Sequence, residues 1–170
     1  MGPRRRWWPA AKTWRARLAA LPIVPMPVRK RILLTVGHRF GPGARMWPGV
    51  LVVGSKLTQG RDTFVNGGCF IDASAEVHLG DQVHLGPGVQ ILTTSHEIGP
   101  PERRASTLSL APVRVGDGAW IGAGSIVLPG ATLGAGCIVA AGGVVDGEVA
   151  PNALYGGVPA RSIRPLDDGG

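Results

Sequence analysis

Residues 113–145 read VRVGDGAWIGAGSIVLPGATLGAGCIVAAGGVV, and this stretch decides the fold of the 170-residue chain. It divides into triplets that recur every six residues, with an aliphatic third position and a first position that is usually small. The triplets are Val113-Arg114-Val115, Ala119-Trp120-Ile121, Ser125-Ile126-Val127, Ala131-Thr132-Leu133, Cys137-Ile138-Val139 and Gly143-Val144-Val145. Glycine follows three of them, at Gly116, Gly122 and Gly134.

The same pattern continues upstream of residue 113. Seven further triplets precede it, beginning at Leu51, Leu57, Thr63, Cys69, Val77, Val83 and Val89, with a two-residue insertion near Asp72–Glu76. A six-residue period does not fit a helix and predicts a short strand plus a turn, with the outer triplet positions inward and the middle one outward. Stacked coils of this kind bury an aliphatic column and pair their strands in parallel. The sequence therefore predicts an all-β fold, a parallel β-helix.

Composition agrees with one repetitive domain and excludes several classes of protein. The 27 Gly and 15 Pro residues would suggest low complexity, but 44% hydrophobic and 17% charged residues argue against disorder. Two cysteines cannot form a disulfide scaffold, and no CxxC pair indicates zinc. There is no run of 18 apolar residues and no convincing signal peptide, so we expect a cytoplasmic protein.

Charge is concentrated at the N-terminus. Residues 1–61 contain 13 Lys and Arg and no acid, whereas residues 62–170 contain 5 Lys and Arg and 11 acids. The basic leader, residues 1–45, mixes cations with tryptophans at Arg4, Arg5, Arg6, Trp7, Trp8, Trp14, Arg15 and Arg17. It is either a capping segment with solvated arginines or a segment that contacts a membrane surface or a polyanion. Binding of nucleic acid is not favoured, because no recognised binding motif appears. Prolines place helices near 9–20 and 27–36.

His96 stands where the repeat breaks. Regular triplets stop at Ile91 and resume at Val113, and the excursion between them contains His96. A long excursion from a compact repeat is usually functional. A histidine titrates near working pH, so His96 is a candidate general base that takes the proton of an acceptor hydroxyl or amine.

The chain resembles the hexapeptide-repeat acyltransferases, in particular the branch of maltose, galactoside and exopolysaccharide O-acetyltransferases. The resemblance covers roughly residues 45–165 and rests on five motifs, TFVN at 63–66, ID at 71–72, GPGVQILTTSH at 86–96, GDGAWIG at 116–122 and GVPAR at 157–161 with Ile163 and Arg164. It implies a left-handed β-helix over residues 46–165 with a loop at 92–112, a tail at 166–170, and a homotrimer with its sites between subunits.

The same resemblance assigns the site residues. His96 would be the base in direct attack of the acceptor on acetyl-CoA, while Asn66 and Asp72 would bind the acceptor. The cofactor positions would be Trp120, Ala123, Ala141, Gly142, Arg161 and Arg164. Asn66 could instead be a turn residue with positive φ and Asp72 a corner cap. Relatives often carry Thr-Lys where this chain has Asp146-Gly147, which removes a cation from the adenine end of the cofactor.

The function that we predict is acetyl transfer from acetyl-CoA to a hydroxyl of a sugar or sugar-containing metabolite. N-acylation of an amino sugar or antibiotic uses the same apparatus, and a non-catalytic trimeric scaffold is the alternative from another class. His78 and His84 raise the further alternative of a zinc carbonic anhydrase, but the close histidine pair near the third ligand is missing. We therefore expect no bound metal. Cys69 and Cys137 occupy first positions of triplets, so we expect them to be buried small side chains and not nucleophiles.

Overall fold

Two helices precede the solenoid in the computed structural model, which describes residues 10–166. Helix α1 spans Ala10–Ala20 and α2 spans Met26–Val36, close to the ranges that the prolines predicted. Helix α2 ends at Gly37, whose φ of 115° turns the chain into the first coil. The Arg4–Trp8 part of the leader and the tail after residue 166 lie outside the described residues.

The rest of the described chain forms short strands joined by turns. They are β1 Arg39–Phe40, β2 Arg45–Met46, β3 Leu51–Gly54, β4 Leu57–Gln59, β5 Phe64–Val65, β6 Phe70–Ala73, β7 Val77–Leu79, β8 His84–Leu85, β9 Gln90–Ile91, β10 Thr94–Ile98, β11 Ala105–Leu110, β12 Val113–Val115, β13 Trp120–Ile121, β14 Ile126–Val127, β15 Thr132–Leu133, β16 Ile138–Val139, β17 Val144–Val145, β18 Glu148–Val149, β19 Ala153–Gly156 and β20 Arg161–Pro165. A short 3-10 helix, Pro101–Arg103, separates β10 from β11.

The strands form the three faces of a parallel β-helix. Face A has the order β1-β4-β7-β12-β15-β18, face B β2-β5-β8-β13-β16-β19-β20, and face C β17-β14-β9-β6-β3. The chain passes from A to B to C in every coil, so the prism has an A/B, a B/C and a C/A corner. The pairs between coils are parallel, and β20 returns antiparallel to β19. This confirms the predicted solenoid.

Burial alternates along most strands of the solenoid as the triplet pattern predicted. On β12, Val113 and Val115 are buried and Arg114 is exposed, and β7 repeats this with Val77, His78 and Leu79. The inward residues form one continuous aliphatic column. Each fully buried Val, Leu or Ile contributes roughly 1.5–3 kcal/mol, and this column is the main source of stability.

The first coil differs from the prediction by one residue. Val50 and Val52 are buried, whereas Leu51 and Val53 are partly exposed, so the inward pair is not the one that the triplet starting at Leu51 implied. Val52 pairs with Ile71 in register. All four residues from 50 to 53 are apolar, so the sequence alone could not fix which of them point inward.

The helices close the open end of the solenoid. Ala19 and Leu33 belong to the same buried cluster as the first coil. The guanidinium of Arg29, only 1% exposed, donates to the carbonyl oxygens of Ala19 (2.6 Å) and Met46 (3.1 Å), with further bonds to Leu21 and Val24. Burial lowers the pKa of Arg29 below its ordinary value. Because β1 already pairs with β4, the solenoid begins before residue 46, the start that the resemblance implied.

Candidate active site

The excursion leaves the solenoid at the C/A corner as an antiparallel pair, β10 with β11. Its base is tied to the coil below, because the Thr93 hydroxyl donates to the Asp72 carbonyl oxygen (2.9 Å) and accepts from the Ala75 amide (3.0 Å). The Ala111 amide donates to the Thr93 carbonyl oxygen at 3.0 Å and closes the loop where it began. The excursion is therefore an ordered arm on a fixed base.

His96 lies on this arm with its ring exposed to solvent. Its Nδ1 is 3.3 Å from the carbonyl oxygen of Ser106 on β11. A carbonyl can only accept, so this contact assigns the proton of the neutral imidazole to Nδ1. The Nε2 lone pair then remains free to take a proton, which is the state that a general base requires.

Asp72 is held within its own chain. The residue is 5% exposed, and its carboxylate accepts from the Ser74 amide (3.0 Å) and the Ser74 hydroxyl at one oxygen. The other oxygen accepts from the Thr93 amide (3.4 Å) and the Thr94 hydroxyl. These contacts make Asp72 a corner cap that also fixes the start of β10, and they leave little of the carboxylate for an acceptor.

Asn66 follows β5 at the B/C corner, away from the corner of His96 and Asp72. Its Oδ1 accepts from the amide of Gly67 at 2.8 Å, so its Nδ2 is the end that can donate to another group. Its φ is not positive, because the positive values among non-glycine residues in the described chain belong to Asp62, Gln82 and Asn152. The alternative of a positive-φ turn residue at Asn66 is therefore wrong.

Trp120 points outward from face B and is 53% exposed. Its neighbour on the adjacent coil is His84, whose ring lies 5.0 Å from that of Phe64, edge to face. Trp47 packs edge to face on Phe64 at 5.9 Å. Face B thus presents a column of outward rings beside the B/C corner, a surface on which an apolar chain can lie.

The three small residues predicted for the cofactor, Ala123, Ala141 and Gly142, are exposed at the B/C corner on successive coils. Here the coils stack backbone against backbone. A Cβ added to Gly86 would lie 2.7 Å from the Ala123 amide nitrogen, and one added to Gly122 would lie 2.6 Å from the Ala141 nitrogen. The corner is therefore a flat wall of main chain, with amides that a ligand can approach closely.

Arg161 and Arg164 lie on β20, at the C-terminal end of the solenoid. Arg161 is 3.7 Å from the Asp146 carboxylate, and both side chains are largely exposed. Arg164 Nη1 donates to the carbonyl of Pro165 at 3.2 Å. The departure noted in the sequence thus has a structural consequence, because the acid at position 146 pairs with one of the two arginines predicted to face phosphate.

The predicted site residues fall into two groups within one chain. His96 and Asp72 lie at the C/A corner, whereas Asn66, Trp120 and the small residues lie on face B or at the B/C corner. Face C separates these two corners. One chain therefore does not bring the groups together.

Sequence analysis did not single out Thr94 or Ser106 as supports of the site. The available signal was the hydroxyl pair Thr93-Thr94 just before His96, since hydroxyls donate to carboxylates. Their partner Asp72 is more than 20 residues earlier and is reached only through coil stacking.

His78 and His84 lie on different faces, A and B. Within residues 10–166 no three His, Cys, Asp or Glu side chains are grouped so that they could hold a metal ion. Cys69 and Cys137 are buried in the column, and burial raises the pKa of the Cys137 thiol to about 11. Both thiols are thereby kept in the unreactive protonated form.

Residues 112–147 match the bacterial transferase hexapeptide family (six repeats). Nodulation protein L of Rhizobium meliloti (strain 1021) is 41% identical over 122 residues, 71% of this chain and 67% of that protein. Galactoside O-acetyltransferase of Escherichia coli (strain K12) is 30% identical over 147 residues, 85% of this chain and 72% of that enzyme. The chain belongs to the hexapeptide-repeat acetyltransferase family.

Solved structures of the family agree with this fold. The hexapeptide-repeat acetyltransferase of Vibrio cholerae superposes with a TM-score of 0.80 at 29% identity, covering 93% of this chain and 90% of that one. The same protein from V. cholerae O1 biovar eltor, in complex with acetyl coenzyme A, gives a TM-score of 0.77, covering 93% and 87%. The solenoid is thus the left-handed β-helix that the resemblance implied.

Proposed function

We propose that the protein transfers the acetyl group of acetyl-CoA to a hydroxyl of a sugar or sugar-containing metabolite. Two relatives support the two substrates. The V. cholerae acetyltransferase is described in complex with acetyl coenzyme A, and the E. coli relative is named a galactoside O-acetyltransferase. We also propose that the reaction takes place in the cytoplasm, where acetyl-CoA is available.

His96 is the general base of the proposed reaction. The acceptor oxygen attacks the thioester carbonyl carbon as its proton passes to Nε2 of His96. The tetrahedral oxyanion then collapses, the C–S bond breaks, and the proton passes from His96 to the CoA sulfur. The observation that carries this assignment is the contact of Nδ1 with the Ser106 carbonyl, because it leaves Nε2 unprotonated.

The enzyme acts as a homotrimer in this proposal, and face C is the surface between its subunits. Along the row that joins all five strands of this face, four of the five residues are apolar, namely Leu51, Phe70, Ile126 and Val144, with Gln90 the exception. By contrast, the outward residues of face A are all polar or charged. Burying an apolar face between copies is favourable, and cyclic symmetry lets three copies do so equally.

This packing also completes the site. When three prisms turn face C toward a common axis, the C/A corner of each meets the B/C corner of the next. His96 of one subunit then approaches the Asn66 and Trp120 side of its neighbour. Asn66 orients the acceptor or the imidazole through Nδ2.

The B/C corner and face B hold acetyl-CoA. Trp120 lies against the pantetheine arm, and the main-chain wall at Ala123, Ala141 and Gly142 lets the pantetheine amides come within hydrogen-bond distance of backbone groups. Arg161 and Arg164 face the phosphates. Asp72 takes part by fixing the start of β10.

Subunit complementation tests both the mechanism and the assembly. His96→Ala and Asn66→Ala enzymes are each expected to release CoA thiol slowly with a panel of sugar acceptors. Co-expressed with different tags, they form mixed trimers in which about a third of the sites, one in each trimer, join an intact His96 to an intact Asn66. Activity should recover in those trimers. A monomer by sedimentation, or mixed trimers no more active than either parent, would remove the shared site.

Release of CoA thiol with amino sugars, together with no release with sugars that carry only hydroxyls, would instead favour N-acyl transfer. No thiol release with any acceptor, from a protein that still forms trimers, would favour the scaffold.

A further inference from the structure

The helical cap has an inner side and an outer side. Its inner side packs on the first coil through Ala19 and Leu33, and Arg29 locks it there with four hydrogen bonds to main-chain oxygens. A buried guanidinium satisfied in this way is costly to displace, so the cap is held rigidly on the end of the solenoid. The outer side is therefore presented in a fixed orientation.

The outer side is apolar and basic at once. We call it the leader face; it is a shallow groove between α1 and α2 lined by Trp14, Arg15, Leu18, Arg31, Ile32 and Thr35. Trp14 is 54% and Leu18 38% exposed, and Leu21 continues their stripe at 46%. Positions 14 and 18 fall on one side of α1, and Leu21 follows directly after its last residue, Ala20. Such a continuous apolar stripe on a rigid element is unusual on a surface that faces only water.

Charge around the leader face has a single sign. No Asp or Glu occurs in residues 1–61, against 13 Lys and Arg. Arg15 lies over the Trp14 ring, 5.6 Å from its centre, and Arg17 is exposed on the same helix. The partner of this surface must therefore be anionic and must also offer an apolar phase.

We propose that the leader face binds the surface of an anionic lipid bilayer. Trp14 and Leu18 enter the interface between headgroups and acyl chains, and Arg15 and Arg31 contact lipid phosphates. A water-soluble polyanion would be bound by the arginines alone and would leave Trp14, Leu18 and Leu21 in water. Within residues 10–166 the structure contains no helix that could span a bilayer.

Trimerisation strengthens this contact. The cap closes one end of the prism, so three prisms related by a threefold axis, with face C toward that axis as proposed above, present three leader faces at the same end. Linked binding surfaces gain affinity because the second and third contacts are intramolecular. This part rests on the proposed trimer; the membrane contact itself does not.

Vesicle sedimentation with purified protein, without acetyl-CoA, tests the proposal. Binding should be strong to phosphatidylcholine vesicles with about 30% phosphatidylglycerol and weak to pure phosphatidylcholine. The double variant Arg15→Glu/Arg31→Glu and the double variant Trp14→Ala/Leu18→Ser should each lower binding at least about tenfold. Arg114→Glu, the same charge reversal on face A, should leave it within about twofold.

Two results would overturn the proposal. One is equal binding of wild type and both double variants. The other is loss of vesicle binding in the arginine variant only. The surface would then be purely electrostatic, a polyanion site, and inorganic polyphosphate would compete for it as well as anionic vesicles do. Circular dichroism and sedimentation velocity check that each variant keeps its fold and assembly. Because thiol release is measured separately, failure here leaves the proposed reaction intact, and failure of the reaction leaves this test unaffected.

Discussion

Thr94 lies two residues before His96 on β10, and its hydroxyl donates a hydrogen bond to the carboxylate of Asp72. The Thr93 amide donates to the same carboxylate oxygen at 3.4 Å. Through these bonds, an acid on one coil sets where the arm with the proposed base begins. Its effect on the reaction would therefore pass through the position of His96.

Replacing Asp72 with Asn tests this positioning role. Asn has one acceptor oxygen instead of two and no charge, so we expect unfolding free energy to fall by about 2 kcal/mol, as for hydrogen bonds to a charged group. Turnover should fall by about tenfold to a hundredfold, because a small misplacement of a reacting group is costly. The KM for the acceptor should change little. A large rise in that KM with normal turnover would instead mean that Asp72 contacts the acceptor directly.

His96→Ala is expected to lower turnover by about 10²- to 10⁴-fold, the usual contribution of a general base. The ring is exposed, so the thermal midpoint should stay close to that of wild type. His78→Ala is the matched control, because His78 is an exposed histidine on face A. Equal turnover in the two variants would assign the proton transfer to another group.

Gly122→Ala should destabilise the solenoid by about 1–3 kcal/mol, because its Cβ would lie 2.6 Å from the Ala141 nitrogen and 2.7 Å from the Val139 oxygen. Gly147→Ala is the control, since its Cβ meets nothing within 4 Å and its φ is not positive. The control should be neutral or stabilising by about 0.4–1 kcal/mol. Urea unfolding measures both, and equal midpoints would contradict the close stacking of the B/C corner.

Asp146→Asn should tighten the binding of CoA by about threefold, because it frees Arg161 from an acid 3.7 Å away and removes a negative charge from the proposed phosphate site. Stability should hardly change, since exposed ion pairs contribute little. Arg161→Ala should weaken binding. Calorimetry with CoA and 3′-dephospho-CoA identifies which phosphate is involved, and unchanged affinity in both variants would remove Arg161 from the cofactor site.

Ionisation of the Cys137 thiol is expected to lower the free energy of unfolding at alkaline pH. Burial raises the pKa of its thiol from 9.0 to about 11, so between these values the unfolded chain loses a proton that the folded chain keeps. The stabilisation is complete below pH 9 and is lost as pH rises toward 11. Urea unfolding at about pH 8 and about pH 10 should therefore show a larger loss for wild type than for Cys137→Ala. Parallel losses would mean that the thiol does not contribute.

The fold was readable from the sequence because one physical rule, an inward aliphatic residue in every strand, repeats along most of the chain. The prediction was wrong where neighbouring residues do not differ in polarity. At residues 50–53 every side chain is apolar, and the inward pair was misplaced by one position. The burial of Arg29 could not be predicted either. In the sequence it is one of many basic residues, and only the structure shows the carbonyl oxygens that accept its hydrogen bonds.

Candidate site residues could be singled out one at a time from the sequence, but their arrangement in space could not. His96 stood out because it interrupts a regular pattern, and Trp120 because an aromatic occupies an outward position. His96 lies at the C/A corner and Trp120 on face B, and this separation depends on which face each triplet occupies and on what packs beside it. Likewise, the bond between Asp72 and Thr94 depends on stacking of non-adjacent segments.

The closure of the excursion at its own base has a practical consequence. Because the Ala111 amide bonds to the Thr93 carbonyl, the chain re-enters the coil beside its point of departure. The tip of the arm between β10 and β11, residues 99–104, can therefore be exchanged for a segment of another length or chemistry while the ladder below keeps its register. Such chimaeras would retain Thr94, His96 and Ser106, so the proposed base would keep its support while the outermost part of the arm is varied.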